Sequence, residues 1–333
     1  MNKALSEKLR IAACIATLMV VLRHSANWVA FFPNGGAPVW LMKTEWSVLS
    51  WTNVAVPFFF FVSGFFFMRV DYVIEKQYVH MLKKKFWALL IPFLVWNMVG
   101  GCVLLFHDHE GNLGDSLSSC LTNLLLSHWY GPLWYVRDIM ILMLLFPLYG
   151  WLYKKWGQSV LILVILWLML SCWQPGWTNL LATEGIVFFF LGGLAQKHES
   201  IMEWKASKGI CCVGLCIWIF LSLGVVPMNL TILRLGILIG LFAFWTSLDL
   251  IAGTLRDWCL RLAPYSFLIY VMHFYLHKVF KIGLAYVFPQ NGVVALIAFF
   301  VVPVITVALI VLVGRYWKRL HPKSYAICMG GRG

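Results

Sequence analysis

The first long apolar stretch of the chain, IAACIATLMVVLRHSANWVAFF at residues 11–32, contains two side chains that can carry a positive charge. Arg23 and His24 lie inside it, and Arg10 stands directly before it. A run of this length can cross a bilayer as one α-helix. An ionisable residue within such a span is costly unless it faces a cavity or a partner, so it marks a functional site by default. The segment therefore predicts an uncleaved membrane helix that carries chemistry.

The composition of the whole chain is that of a membrane protein. Of its 333 residues, 62% are hydrophobic and 12% are charged, whereas a soluble domain has about 25% charged residues. Apolar runs long enough for a hydrocarbon core of about 30 Å occur at 11–32, 49–68, 86–106, 132–152, 158–174, 180–196, 209–227, 229–250, 264–286 and 293–315. Because helices satisfy their own backbone hydrogen bonds in lipid, we predict an all-α polytopic membrane bundle of about ten transmembrane helices. This membrane domain covers 1–320, and a short cytoplasmic tail covers 321–333.

The distribution of Lys and Arg predicts the orientation. With the N-terminus in the cytoplasm, the outside receives Lys43, Lys278 and Lys281, and most other basic residues fall inside, as the positive-inside rule requires. Both termini are then cytoplasmic. The net charge of +13 follows from this topology, and no separate basic domain suggests nucleic-acid binding.

Two outer loops are expected. Residues 33–46 are rich in Gly, Pro and Trp and predict an interfacial cap, and residues 107–130 predict a lid or binding loop. In the second loop, His107, Asp108 and His109 are adjacent, but a solvated acidic loop is the favoured interpretation over a metal site. We expect no bound metal.

Three further segments place polar residues within apolar spans. Asn53 precedes the run VPFFFFVSG at 56–64, which contains Ser63, and a Pro with a Gly frees backbone groups at membrane depth. The segment LWYVRD at 133–138 puts Arg137 beside Asp138. In SFLIYVMH at 266–273, the spacing of Ser266, Tyr270 and His273 places them on one helix face.

Together these segments resemble the membrane acyltransferase-3 family, bacterial integral-membrane O-acyltransferases that modify surface glycans. The matching features are Arg10 and His24 of the first helix, the VPFFFFVSG run, the basic cluster before Pro92, LWYVRD and SFLIYVMH. They occur in the order of the family and cover most of the chain.

The chain departs from the family pattern at three places. Arg10 stands fourteen residues before His24, where the family typically has eleven, although fourteen residues is close to four helical turns and keeps both on one face. Asn53 replaces an Arg that often precedes the VP pair. The paired basic motif before Pro92 appears as Lys85 with Ala88, so its second cation is missing.

The resemblance and the chemistry of acyl transfer assign the catalytic roles. Transfer to a hydroxyl needs a base for its proton, and His24, with an unperturbed pKa of about 6.5, is our candidate; a packed structural histidine is the alternative. Arg137 is expected to orient His24 or bind the acceptor, with Asp138 as its partner. An internal ion pair that only fixes the helix is the other interpretation of these two residues.

The donor implied by the family is acyl-coenzyme A, most simply acetyl-CoA, with no permanently bound cofactor. Arg10, Lys84 and Lys85 would bind its phosphates, with Lys83 or Lys84 replacing the missing cation; anchoring to lipid headgroups is the competing role. Tyr270 and His273 would line the donor path, or else bond between helices.

The acceptor implied by the family is a glycan or lipid-linked saccharide at the bacterial inner membrane. Trp134 and Tyr135 would stack on a sugar ring, supported by the polar Asn53 and Ser63; a belt of interfacial aromatics is the alternative. The oligomeric state stays open between a monomer and a homodimer. The rival function is a proton-coupled exporter or a lipid or glycan flippase, but no internal repeat supports it.

Overall fold

The computed structural model describes residues 2–68, 75–107, 114, 116–171, 180–198, 200–223 and 230–332. Within these ranges every regular element is helical, which confirms the all-α prediction. The α-helices, in chain order, are α1 (Lys3–Arg23), α2 (Trp28–Phe31), α3 (Val39–Trp51), α4 (Ala55–Phe67), α5 (Glu75–Lys85), α6 (Ile91–His107), α7 (Leu117–Leu125), α8 (Trp134–Leu144), α9 (Phe146–Trp156), α10 (Gln158–Ser171), α11 (Thr183–Lys197), α12 (Ser200–Glu203), α13 (Lys208–Leu223), α14 (Leu230–Ser247), α15 (Gly253–Leu262), α16 (Ser266–Val287), α17 (Gly292–Leu320) and α18 (Pro322–Cys328).

The chain forms two compact units. The first comprises Met1–Phe59 and Met202–Tyr316, and the second comprises Phe60–Ile201 and Trp317–Gly333.

The lengths of the helices support a multi-pass membrane protein. Five helices in the described ranges are long and apolar enough to cross a bilayer: Val39–Phe67, Gln77–Leu105, Ile232–Leu250, Gly253–Val287 and Gly292–Leu320. A sixth span results if the helices Gly131–Leu144 and Phe146–Leu152, bent by 53°, count as one. The number of ten spans and the orientation of the termini stay predictions.

Helix α1 is the central element of the first unit. Asn2 caps its N-terminus by accepting a hydrogen bond from the Leu5 amide at 2.7 Å, as a capping side chain should. At this end Glu7 pairs with Arg256, and Lys8 pairs with Asp249 at 2.8 Å. The opposite end of α1 closes at His24, which is its C-terminal cap. The prediction that His24 lies within a helix running to residue 32 is therefore wrong, because a turn separates α1 from α2.

The predicted cap at 33–46 is largely helical. Helix α3 begins at Val39 and continues through a 3-10 turn, Thr52–Val54, into α4. Its buried Leu41 packs with Phe31 and with Ala295, Ala298 and Val302 of α17 in a fully or nearly fully buried apolar cluster. The prediction of a loop was wrong for residues 39–46. The Gly and Pro residues end before Val39, and the following part, which contains two Trp residues, packs as a helix.

Proline determines two irregularities in the second unit. Pro147 lies at the start of α9, directly after the 53° bend, and it cannot donate a backbone hydrogen bond to the preceding turn. Pro92 follows a π-helical segment, Phe86–Leu90. A proline removes the bond to the carbonyl four residues before it, which here is the carbonyl of Ala88.

Candidate active site

Three histidines meet in the first unit where α1 ends against α16. The ring centroids of His24 and His273 are 5.2 Å apart, and those of His273 and His277 are 6.4 Å apart. Phe274 packs edge-on against His24 at 5.4 Å. We call His24, His273 and His277 the imidazole cluster. His24 and His273 are predicted site residues from separate segments, and the structure brings them into contact.

The members of the cluster differ in accessibility. His273 and His277 are buried, with 0% and 1% of their surface exposed, whereas His24 is only half-buried. His24 is therefore the most exposed member of the cluster. Accessibility makes His24 the member of the cluster best placed to exchange a proton with a ligand.

Hydrogen bonds determine the tautomer of His273. Its Nδ1 lies 2.7 Å from the carbonyl oxygen of Tyr270 and 3.2 Å from that of Ile269. A carbonyl oxygen can only accept, so Nδ1 must carry the proton. When the ring is neutral, its lone pair is therefore at Nε2, a buried atom without a hydrogen-bond partner among the described residues. In that form His273, next to His24, can accept a proton only at Nε2.

The third histidine contacts a serine. Ser25 Oγ lies 3.0 Å from His277 Nε2 and 3.3 Å from the carbonyl oxygen of Val21. Ser25 is completely buried. A hydroxyl beside an imidazole is the pair needed for nucleophilic catalysis, but this hydroxyl lies inside the packed helices.

Two charged residues position the chain that carries His24. Lys281 Nζ donates to the carbonyl oxygens of His24 at 2.9 Å and Ala26 at 3.1 Å. A cation at a helix C-terminus also interacts favourably with the helix dipole. Glu45 Oε2 accepts a hydrogen bond from the Asn27 amide at 2.9 Å, and Glu45 is completely buried. The turn after α1 is therefore held by a side chain of α16 and by one of α3.

Sequence reasoning missed Lys281 and Glu45 as site residues. Lys281 was counted only as an outer basic residue, and Glu45 fell in the predicted cap. The sequence does contain a signal for both residues. Glu45 lies near an apolar run and Lys281 lies eight residues after His273, and an ionisable side chain needs a partner in an apolar environment. Their partners are backbone groups, which no side-chain motif reveals.

The other predicted residues of the first unit lie apart from the imidazole cluster or at its edge. Tyr270 is half-buried, with its ring centroid 6.4 Å from that of His273. Asn53 is half-buried in the 3-10 turn that packs against α1. Arg10 is exposed near the opposite end of α1 and donates to the carbonyl oxygen of Leu260 at 3.3 Å.

Arg137 and Asp138 form a buried ion pair in the second unit. Arg137 Nη2 lies 2.7 Å from Asp138 Oδ1, and the two side chains are 4% and 0% exposed. Arg137 also donates to the carbonyl oxygen of Leu126 at 2.9 Å, and the Ala182 amide donates to Asp138 Oδ2 at 2.8 Å. The pair thereby joins α8 to the segments before it and before α11.

The predicted acceptor residues of the second unit contact one another. Tyr135 and Ser63 share a hydrogen bond of 3.2 Å between their hydroxyls. The rings of Trp134 and Tyr135 both pack on Phe60, with centroids 5.9 and 4.8 Å from it. Trp134, Tyr135 and Ser63 are half-buried, so this aromatic face is accessible in part.

The basic end of α5 receives the C-terminal segment. Lys84 is exposed and Lys85 is half-buried. Arg332 donates from Nη1 to the carbonyl oxygen of Ala88 at 2.9 Å. Lys83 or Lys84 was predicted to replace the cation missing at Ala88. Arg332, which lies 244 residues from Ala88 along the chain, was not predicted.

No group of three potential metal ligands occurs among the described residues. Asp108 and His109 of the predicted outer loop lie outside the described ranges.

The comparisons with known proteins agree with the resemblance. Residues 9–314 match the acyltransferase-3 family, described as an acyltransferase domain. The chain is 24% identical over 352 aligned positions to the succinoglycan biosynthesis protein ExoH of Rhizobium meliloti (strain 1021), covering 97% of this chain and 91% of that protein. No solved structure matches significantly. Since the family match spans most of its length, this chain belongs to the acyltransferase-3 family and is a membrane acyltransferase.

Proposed function

We propose that the protein is an O-acyltransferase that moves an acyl group, most simply acetyl, from cytoplasmic acyl-CoA to a hydroxyl of an envelope or exported glycan. Family membership supports the reaction class. The similarity to a succinoglycan biosynthesis protein supports a glycan or lipid-linked saccharide as acceptor. In this proposal about ten helices cross the bacterial inner membrane, and both termini are cytoplasmic. Membership of an acyltransferase family also disfavours the exporter or flippase alternative.

The observation that carries the proposal is the half-buried His24 in contact with His273, whose Nδ1 is bonded to backbone carbonyl oxygens. In the proposed reaction His24 takes the proton of the acceptor hydroxyl as that oxygen attacks the thioester carbonyl. The carbon–sulfur bond then breaks, and the proton passes to the leaving thiolate of coenzyme A. His273 stabilises the protonated His24 through its Nε2 lone pair, and Lys281 keeps the His24 backbone in place. The donor path passes Tyr270 and His273.

The remaining predicted residues take positioning and binding roles. Arg10, Lys84 and Lys85 bind the phosphates of the donor as charged groups at the cytoplasmic side. Trp134 and Tyr135, with Ser63 and Asn53, bind the sugar ring. The Arg137–Asp138 pair holds the start of α8, so that Arg137 orients the acceptor. Acetyl-CoA is a substrate here, and the reaction needs no resident cofactor or metal.

The proposal is tested by mass spectrometry of the exported glycan from cells that carry wild-type, His24→Ala or His198→Gln protein. His198 is an exposed histidine at the end of α11 and serves as the matched control. We expect alkali-labile O-acyl groups with wild type and His198→Gln and none with His24→Ala at equal protein level. O-acylation by His24→Ala at the wild-type level would remove the base assignment. A glycan without O-acyl groups in all three strains would contradict the acceptor class.

A further inference from the structure

The C-terminal segment of the second unit is folded back onto the membrane helix α6. Helix α18 packs against α6, and its Tyr325 is buried, with 3% of its surface exposed. Trp317 Nε1 donates to Ser324 Oγ at 2.9 Å, and Trp96 Nε1 of α6 donates to the carbonyl oxygen of Cys328 at 3.1 Å. The segment predicted as a cytoplasmic tail is thus a docked element.

Glycine permits the closest approach of this segment to the π-helical turn. Gly330 has φ +63°, in the left-handed region that favours glycine. A Cβ placed on it would lie 2.5 Å from the Ala88 carbonyl oxygen and 2.9 Å from Ala88 Cα. Only a residue without a side chain fits at this position.

Pro92 explains why the Ala88 carbonyl can receive the segment. In a regular helix the amide of residue 92 would bond to that carbonyl, but proline has no N–H. Arg332 Nη1 donates to it at 2.9 Å and to the carbonyl oxygen of Met329 at 3.0 Å. These bonds hold the guanidinium beside the π-helical segment.

Positively charged side chains cluster near the Ala88 carbonyl. Arg332 is bonded to the Ala88 carbonyl oxygen, and Lys85 and Lys84 stand three and four residues before Ala88, which is about one helical turn away. Clustered like charges repel one another, so an anion bound among them relieves an existing repulsion. Arginine provides a planar fork of donors that matches phosphate oxygens.

We infer that Arg332, Lys84 and Lys85 form a binding site for a phosphate group, and that the docked C-terminal segment is an integral part of it. Arg332 lies beyond the family match, which ends at residue 314. The inference deepens the proposed function and rests on it, because the phosphate would be that of the acyl-CoA donor. The headgroup of an anionic lipid has the same chemistry, and the experiment separates the two sources.

The test measures binding of coenzyme A to the full chain in nanodiscs of phosphatidylcholine. The variants are Arg332→Gln, Arg332→Lys and, as the matched control, Lys323→Gln, which removes one charge from an exposed position of α18. We expect wild-type affinity for Lys323→Gln and a Kd increased about tenfold for Arg332→Gln, the effect of one charge-assisted hydrogen bond. Arg332→Lys should fall between them, because it keeps the charge and loses the fork. Equal affinity of wild type and Arg332→Gln would overturn the inference.

Two further measurements distinguish a failure of this inference from a failure of the proposed function. Gly330→Ala keeps Arg332, but its methyl group would clash with Ala88 and displace Arg332 from the Ala88 carbonyl. It should therefore weaken coenzyme A binding as Arg332→Gln does, while the protein still elutes as a monodisperse species. If wild type binds no coenzyme A, the proposed donor fails, and co-purification of phosphatidylglycerol decides the inference. Arg332-dependent retention of that lipid would support a phosphate site for lipid, and retention independent of Arg332 would overturn the site.

Discussion

At the scale of single residues, the position of His24 depends on groups that bind its backbone. Lys281 donates to the carbonyl oxygens of His24 and Ala26, and Glu45 accepts from the Asn27 amide. Neither contact was predicted, because a side chain bonded to the backbone leaves no sequence motif. The histidines themselves were found, because ionisable residues in apolar spans are conspicuous.

Replacement of Lys281 by Met should lower kcat of acyl transfer about tenfold or more. The two charge-assisted bonds would be lost, and small displacements of a catalytic group are costly. Lys281→Arg should restore much of the activity, and Lys278→Met, at an exposed neighbouring position, should have no effect. Since the role is positional, KM for the donor should stay near its wild-type value. A change in KM alone, with kcat preserved, would contradict it.

Ser25 is expected to be structural, because its side chain is fully buried against His277. Ser25→Ala should retain more than about a tenth of the activity, since the loss of one neutral hydrogen bond costs about 1 kcal/mol. Intact-mass measurement of wild type incubated with acetyl-CoA should show no acylated protein. An acyl adduct on Ser25, or complete inactivation by Ser25→Ala with folding preserved, would instead indicate an acyl-enzyme mechanism.

At the scale of helices, α4 and α11 pack with their backbones in contact. A Cβ on Gly64 would overlap the carbonyl oxygen of Phe189, and one on Gly192 would overlap that of Phe61. Small residues permit this approach in membrane helices. The close contact was not predicted, although Gly64 was recognised as a break in an apolar run.

Gly64→Ala or Gly192→Ala should destabilise the protein by about 1–3 kcal/mol, because the added methyl groups overpack the contact. Gly283→Ala is the control: it lies in α16 with nothing within 4 Å of its Cβ, and alanine favours helix by about 1 kcal/mol. Thermal unfolding in detergent should therefore lower Tm for the first two variants and leave Tm unchanged or raised for the third. Equal behaviour of all three would contradict the backbone contact.

The pair between α1 and α15 should make stability depend on pH in the acid range. The hydrogen bond from Arg256 lowers the pKa of Glu7 from its usual value of 4.5. A carboxylate whose pKa is lower in the folded state stabilises the fold above pH 4.5, and this contribution disappears as the pH falls through the folded-state value. The Tm of Glu7→Gln should thus lie slightly below that of wild type at pH 7, and the difference should vanish in strong acid. A difference that grows on acidification would contradict the pairing.

The helical class and most helix positions could be predicted, because apolar runs in lipid have few alternatives to the helix. The ends of elements were less predictable. α1 stops at Arg23 and a turn follows, although the apolar composition continues to Phe32. The docking of α18 depends on Pro92, Gly330 and an Arg that lies far away along the chain, and no periodic pattern links them.

At the scale of the whole molecule, the predicted site residues fall into the two compact units. His24, His273, Tyr270, Arg10 and Asn53 belong to the first, and the Arg137–Asp138 pair, the aromatic face and the basic end of α5 belong to the second. The proposed base thus belongs to one unit, and the residues proposed to bind the donor phosphates and the sugar ring belong mainly to the other.

The most direct test of this account is transfer of radiolabelled acetyl from acetyl-CoA to glycan in inverted membrane vesicles, whose cytoplasmic face is exposed to the donor. Vesicles with wild-type protein or His198→Gln should incorporate label into an alkali-labile glycan fraction, and vesicles with His24→Ala should incorporate none. Label incorporation by His24→Ala at the wild-type rate, or none by folded wild type supplied with its glycan, would contradict the account.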